Sequence, residues 1–157
     1  MKPTRPSPLV ALAAIGVIAG WLVEVMLVGS GRPSLVPPIT LGIALALIGV
    51  LVVVGALPVF RVARGLAGAR VDPFYATRIL LLAKASSITG AILTGVALAV
   101  LVFLLTRSVV AAAGPIGMAV VTLVGAALLL VGGLVAEKMC TLPPEDDEPG
   151  RPDTMAV

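Results

Sequence analysis

The chain has 157 residues, of which 59% are hydrophobic and 12% are charged, and its mean hydropathy is +1.17. A soluble domain carries about 25% charged residues, so this composition predicts an integral membrane protein. The net charge of +3 does not indicate nucleic-acid binding, because the basic residues flank apolar runs and are not clustered with aromatic residues. One cysteine and no histidine exclude an intrachain disulfide and leave the chain without the commonest general base and metal ligand. We therefore expect no metal and no cofactor.

The chain begins with a short basic arm, residues 1–8, followed by a first apolar span at residues 9–28. This span is too long for the hydrophobic region of a signal peptide, so we expect it to be retained as a membrane helix. Glu24 lies near its far end and favours an interfacial position close to Arg32. Trp21 beside it is typical of an aromatic anchor at the membrane surface. Because Glu24 and Lys84 fall on opposite sides of the membrane, we do not expect them to pair.

A second span is predicted at residues 39–59, after a turn-rich loop at residues 29–38. It contains no ionisable residue, and its glycines allow close helix packing. Pro58 is expected to end it. The loop that follows, residues 60–71, is rich in arginine, which predicts a cytoplasmic location and would also allow attraction to anionic lipid. Both termini are then predicted to be cytoplasmic.

The third span is predicted at residues 76–105. It follows Asp72 and Pro73, a pair typical of a helix start, and no proline interrupts the chain from there to Pro115. At about 1.5 Å per residue, residues 85–105 alone cover roughly 31 Å, which matches a hydrocarbon core of about 30 Å. This segment is therefore predicted to be one long helix that crosses the membrane.

Small residues four apart on the third helix predict a face that packs against other helices. Helical spacing places a first row along one face and a second row beside it. Lys84 begins the first row, and two interpretations of it stay open: it faces a partly polar site inside a bundle, or it extends to the lipid headgroups. The first row is Lys84, Ser87, Ala91, Gly95 and Ala99, its predicted packing face is Ala91, Gly95 and Ala99, and the second row is Ser86, Gly90 and Thr94.

A fourth span is predicted at residues 116–136, and the charged pair Glu137 and Lys138, followed by Cys140, marks its cytoplasmic end. The tail, residues 142–157, contains several prolines and a run of acidic residues, which predicts a disordered segment. The sequence as a whole predicts an all-α integral membrane protein with a transmembrane domain at residues 9–141. Its four helices are expected to form two antiparallel hairpins, spans one and two and spans three and four.

The order of these features resembles a family of small actinobacterial membrane proteins catalogued as domain of unknown function 3180. The resemblance covers nearly the whole chain and is most specific in the segment from Asp72 to Ser86, followed by Gly90 and Gly95. The chain departs from the family pattern at Thr141, where a basic residue often follows the cysteine. The resemblance implies a four-helix protein of the plasma membrane with no established activity. The family's recurrent residues map to Arg78, Lys84, Glu137 and Cys140.

The residues favour a non-catalytic role, because the charged groups near membrane depth form neither a paired-carboxylate site nor a phosphate-binding glycine loop. We expect an accessory, scaffold or assembly subunit with no catalytic residues. We expect Lys84 to pair with Glu137 of the fourth helix. The expected partners are membrane lipid and either another membrane protein or a second copy, held through the third helix. The alternative is a small-solute transporter or channel component formed by oligomerisation. The candidate interaction cluster is Arg78, Lys84, Ser86, Ser87 and Glu137.

Overall fold

The computed structural model describes residues 6–63, 73–106 and 113–140. These residues form four α-helices, and each is long and apolar enough to cross a membrane, which confirms the predicted all-α class. The helices are α1 (Pro6–Gly29), α2 (Ile39–Ala63), α3 (Pro73–Thr106) and α4 (Ala113–Cys140). Predictions for residues 1–5 of the basic arm, for residues 64–71 of the arginine-rich loop, for Asp72, for Thr141 and for the acidic tail fall outside the described residues.

Helix α2 continues through Pro58, where the sequence predicted its end. A proline inside a helix removes one backbone hydrogen bond, to the carbonyl four residues earlier. Residues on both sides of Pro58 are buried, including Ala56 and Val59. Their packing against neighbouring helices outweighs the loss of a single hydrogen bond, so the helix runs on to Ala63.

The C-terminus of α1 is closed by a Schellman motif. The amide of Arg32 donates to the carbonyl of Leu27 at 3.0 Å, and the amide of Gly31 donates to the carbonyl of Val28 at 3.0 Å. Gly31 has a φ of 73°, a left-handed conformation that glycine adopts without a steric penalty. This cap turns the chain sharply at the end of α1 and directs residues 32–38 across the end of the molecule.

The four helices alternate in direction. Gly16 and Gly20 of α1 lie against Ile92 and Val96 of α3, so α1 and α3 run parallel. Gly42 and Gly49 of α2 lie against Val121 and Leu128 of α4, so α2 and α4 also run parallel, while Gly90 and Gly133 show that α3 and α4 run antiparallel. The start of α1 and α3 and the end of α2 and α4 therefore lie at one end of the molecule. We call this the basic end, because the described residues Arg61, Arg78, Lys84 and Lys138 are found there.

Helix α3 is the centre of the fold, since it contacts each of the other three helices. Helix α1 packs on α3, and within the described residues it contacts neither α2 nor α4. The predicted hairpin of the first two spans is therefore not a packing unit, although the last two spans do pack as an antiparallel pair. The connecting residues 30–38 have a reach of roughly 30 Å, which lets α2 pack on α4 at a distance from α1.

The core lies between α2, α3 and α4 and consists of three clusters spaced along the helices. Near the basic end Ala83 of α3 packs with residues of α2 and α4 such as Ala56 and Ala136. Leu45 packs with Ala126 and Leu129 in the middle cluster, and Val100 and Leu104 of α3 pack with Ala119 at the opposite end. Many of these side chains are small, so the helix backbones approach closely, as is typical of helix packing in membranes.

Candidate functional site

The predicted packing face of α3 lies against α1. Ala91, Gly95 and Ala99 are all buried, and a Cβ atom at Gly95 would lie 2.9 Å from the backbone nitrogen of Val17. Ala99 lies next to Gly20, whose own Cβ atom would be 3.0 Å from that of Ala99. This contact is made by backbone and small side chains and holds α1 to the rest of the molecule.

Two other small residues of α3, Gly90 of the second row and Ser87 of the first row, face a different helix, α4. A Cβ atom at Gly90 would lie 2.6 Å from the backbone nitrogen of Leu130, and one at Gly133 would lie 2.6 Å from that of Ser87. The faces that α3 presents to α1 and to α4 are almost opposite each other. Gly95 and Ala99 on one side, and Ser87 and Gly90 on the other, therefore place α1 and α4 on either side of α3, which explains why α1 contacts α3 alone.

The structure separates the predicted interaction cluster into two parts. Ser86, Ser87 and Glu137 are buried, with Glu137 6% exposed, whereas Arg78 and Lys84 are exposed. Ala83, the residue before Lys84, packs with Ala136 of α4. One residue further along a helix is a rotation of about 100°, so Lys84 is turned away from α4. This geometry and the exposure of Lys84 favour the interpretation that its side chain extends outward, and the expected pairing with Glu137 stays a prediction.

Three buried or half-buried hydroxyl groups donate to carbonyls of their own helices. Ser87 donates to Lys84 at 2.9 Å, Thr94 to Gly90 at 2.6 Å and Thr122 to Met118 at 3.0 Å. Such local hydrogen bonds satisfy a hydroxyl inside an apolar region. These three side chains consequently help the helices to pack, and their protons are directed toward backbone and not toward a shared polar site.

Glu24 is fully buried, which the sequence analysis did not predict. It stands four residues after Gly20 and eight after Gly16, and both glycines lie against α3. The same stripe of α1 therefore turns Glu24 toward α3, and its exposed fraction is 0%. One turn earlier, the ring of Trp21 meets that of Phe103 edge-on, with centroids 5.5 Å apart.

The loop after α1 also covers Glu24. The backbone amide of Leu35 donates to Oε2 of Glu24 at 3.3 Å, while Arg32, the expected neighbour, is exposed. Glu24 lies near the far end of α1, as predicted, and helix packing and the loop enclose its carboxylate, which the sequence did not predict. The spacing of Gly16, Gly20 and Glu24 was the signal in the sequence that could have revealed it.

The described residues contain no group of three or more potential metal-ligating side chains. Cys140 is half-buried at the end of α4 and is not in a disulfide. The two buried carboxylates, Glu24 and Glu137, lie at opposite ends of the molecule. The features that stand out are thus closely packed helices, a covered carboxylate at one end and exposed cations at the other.

These observations define an all-α protein with four helices that can each cross a membrane. Residues 9–144 match the model of a family described as "Protein of unknown function (DUF3180)". Because the match covers most of the chain, the protein belongs to this family, which confirms the resemblance found in the sequence. Comparisons with curated proteins and with solved structures found no match.

Proposed function

We propose that this protein is a non-catalytic accessory, scaffold or assembly subunit of the plasma membrane. The observation that carries the proposal is the arrangement of α1 and α4 on opposite sides of α3. An open row of this kind presents several helix surfaces to other membrane proteins. In contrast, a transporter needs polar groups that line a path across the bilayer.

The buried and half-buried polar groups support a contact role. Ser87, Thr94 and Thr122 donate to their own helices, and the buried carboxylates Glu24 and Glu137 are separated by most of the length of the helices. Transport of a polar solute would require polar groups between them that face one shared path. The described residues there pack as the apolar clusters of the core.

The surface that we assign to a partner is the inner α3 face, formed by Leu81, Lys84, Ala85 and Ile88. All four residues are exposed, with Leu81 at 63% and Ile88 at 37%. The face lies beside the first turns of α1: Gly16 lies against Ile92 and the two helices run parallel. Pro6 is therefore level with about Leu82, and Leu81 lies beyond the start of α1. An exposed cation among apolar side chains suits a partner helix that carries a carboxylate or a C-terminal dipole.

The proposed orientation places the basic end in the cytoplasm. Arg61, Arg78, Lys84 and Lys138 lie at this end, whereas Arg32 lies at the other. Lysine and arginine concentrate on the cytoplasmic side of membrane proteins. With this orientation both termini are cytoplasmic.

The test is purification in mild detergent at native expression level, with mass spectrometry of the proteins that co-elute. We expect a partner in fixed stoichiometry with the wild-type protein. Lys84→Ala should lose that partner, while Arg32→Ala, an exposed cation at the other end, should keep it. Because Lys84 is exposed, its removal should leave the helix content unchanged, which circular dichroism would verify.

Two results would contradict the proposal. A partner that both variants retain would show that the inner α3 face is not the contact surface. A homo-oligomer without a partner would favour the alternative, a small-solute transporter or channel component formed by several copies. Solute uptake by reconstituted vesicles would then establish transport.

A further inference from the structure

We infer that the groove between α2 and α4 binds one acyl chain of an anionic phospholipid, whose headgroup lies at Arg61 and Lys138. The groove has a volume of about 320 Å³ and is lined almost entirely by apolar atoms. Its walls are Ala46, Val50 and Val54 of α2 and Val131 and Val135 of α4. This inference is independent of the proposed role of the inner α3 face.

The groove exists because two glycines meet at its floor. Gly49 and Gly132 are buried, and a Cβ atom at Gly132 would lie 2.8 Å from the carbonyl oxygen of Gly49. The two backbones are therefore in contact, and no side chain rises between them. The valines on either side stand above this floor, with Val50 58% and Val131 54% exposed, so the groove opens sideways toward lipid.

Along each helix, the stripe of residues that forms a wall of the groove continues to a cationic residue. On α2, Val50, Val54, Leu57 and Arg61 follow one another at intervals of three and four residues, which places them along one stripe of the helix. On α4, Val131, Val135 and Lys138 do the same. Both cations are exposed, and since α2 and α4 run parallel, they lie at the same end of the groove.

The groove lies near the middle of the membrane-spanning segment, because its α2 residues run from Ala46 to Val54, and it ends roughly 10 Å before Arg61 along the helix. Val50 is close to the middle of the apolar segment Ile39–Val62, and Arg61 lies roughly 16 Å further along the helix at 1.5 Å per residue. Half of a hydrocarbon core of about 30 Å is roughly 15 Å. A phosphate held at Arg61 would therefore let its acyl chain extend along the groove to the level of Val50.

Charge and shape together select the occupant. Lysine and arginine at the membrane surface attract anionic headgroups, with an effect of about fivefold in affinity for each cation. The apolar groove is open to the bilayer and takes a flexible chain without requiring hydrogen-bond partners. An anionic phospholipid satisfies both conditions at once, whereas a second copy of the helix pair would bring its own cations against Arg61 and Lys138.

Native mass spectrometry of the purified protein with added dioleoylphosphatidylglycerol or dioleoylphosphatidylcholine tests the site. We expect one retained phosphatidylglycerol and a preference for it over phosphatidylcholine of more than tenfold. The double variant Arg61→Gln, Lys138→Gln should abolish this preference. Val50→Trp or Val131→Trp should fill the groove from either wall and remove the retained lipid of both kinds.

The matched control is Ile18→Trp, because Ile18 is 60% exposed at a similar depth on α1, away from the groove. It should retain phosphatidylglycerol like the wild-type protein. Equal loss of lipid in this control, or full retention in both groove variants, would overturn the inference. A dimer that dissociates in Val50→Trp while lipid binding persists would also overturn it and assign the groove to contact between copies.

Discussion

The contact between α1 and α3 should be unusually sensitive to a single methyl group at Gly95. An added Cβ atom would overlap the carbonyl oxygen of Ala13 and would lie 2.9 Å from the backbone nitrogen of Val17. Carbon atoms normally approach other heavy atoms to about 3.5–4.0 Å. Because the atoms it meets belong to the backbone of a helix, no side-chain rotation can relieve the overlap, and Gly95→Ala must push α1 away from α3.

The expected cost follows from this displacement. A gap of 0.5–1 Å removes about a quarter to a half of the dispersion energy of each contact it affects, and overpacking a close-packed site typically costs about 1–3 kcal/mol. Alanine also favours helix over glycine by about 1 kcal/mol. The matched control Gly117→Ala gains the same helix propensity, and its added Cβ would meet no atom within 4 Å. Gly95→Ala should therefore be less stable than Gly117→Ala by about 1–3 kcal/mol.

Trp21 provides a specific assay, since it is the single tryptophan of the chain and contacts Phe103 across the α1–α3 contact. In a detergent unfolding titration, Trp21 fluorescence reports on the separation of α1, and far-ultraviolet circular dichroism reports on all helices. We expect the fluorescence transition of Gly95→Ala to shift to lower denaturant and to precede the loss of helix. Equal stability of the two variants would refute the close approach of α1 and α3.

Three further outcomes are expected from the same titration. Glu24→Ala should lower the free energy of unfolding by about 1–3 kcal/mol, because it removes the acceptor of the Leu35 amide. Glu24→Gln keeps an acceptor oxygen and should lower it less. An equal loss of stability in the two variants would contradict this reasoning. In a double-mutant cycle, the changes in unfolding free energy caused by Lys84→Ala and Glu137→Gln should add to within about 0.5 kcal/mol. A larger coupling energy would show that the two side chains interact. Ser87→Ala should lower the free energy of unfolding by less than about 1.5 kcal/mol, since it removes one local hydrogen bond. Ser87→Leu at this fully buried position should lower it at least as much as Gly95→Ala does.

The sequence alone determined the number and nature of the helices. Long apolar runs separated by proline, glycine and charge can satisfy their backbone hydrogen bonds in lipid only as helices, so four spans followed directly from composition and length. The small residues of α3 also marked its contact surfaces, because spacing along a helix determines which residues share a face. Those properties depend on the local chain and need no knowledge of the neighbouring helix.

The tertiary structure decided which helices are neighbours and which charges are covered. The sequence could not show that Gly95 and Ala99 meet α1 while Ser87 and Gly90 meet α4, because small residues suit any closely packed helix. It placed Glu24 near the end of the first helix but did not reveal its burial, which depends on α3 and on the loop at Leu35. Lys84 and Glu137 likewise lie at the same end of the molecule, but Lys84 is exposed and Glu137 is buried. Depth is set by position along one helix, whereas environment is set by the helices and loops around it.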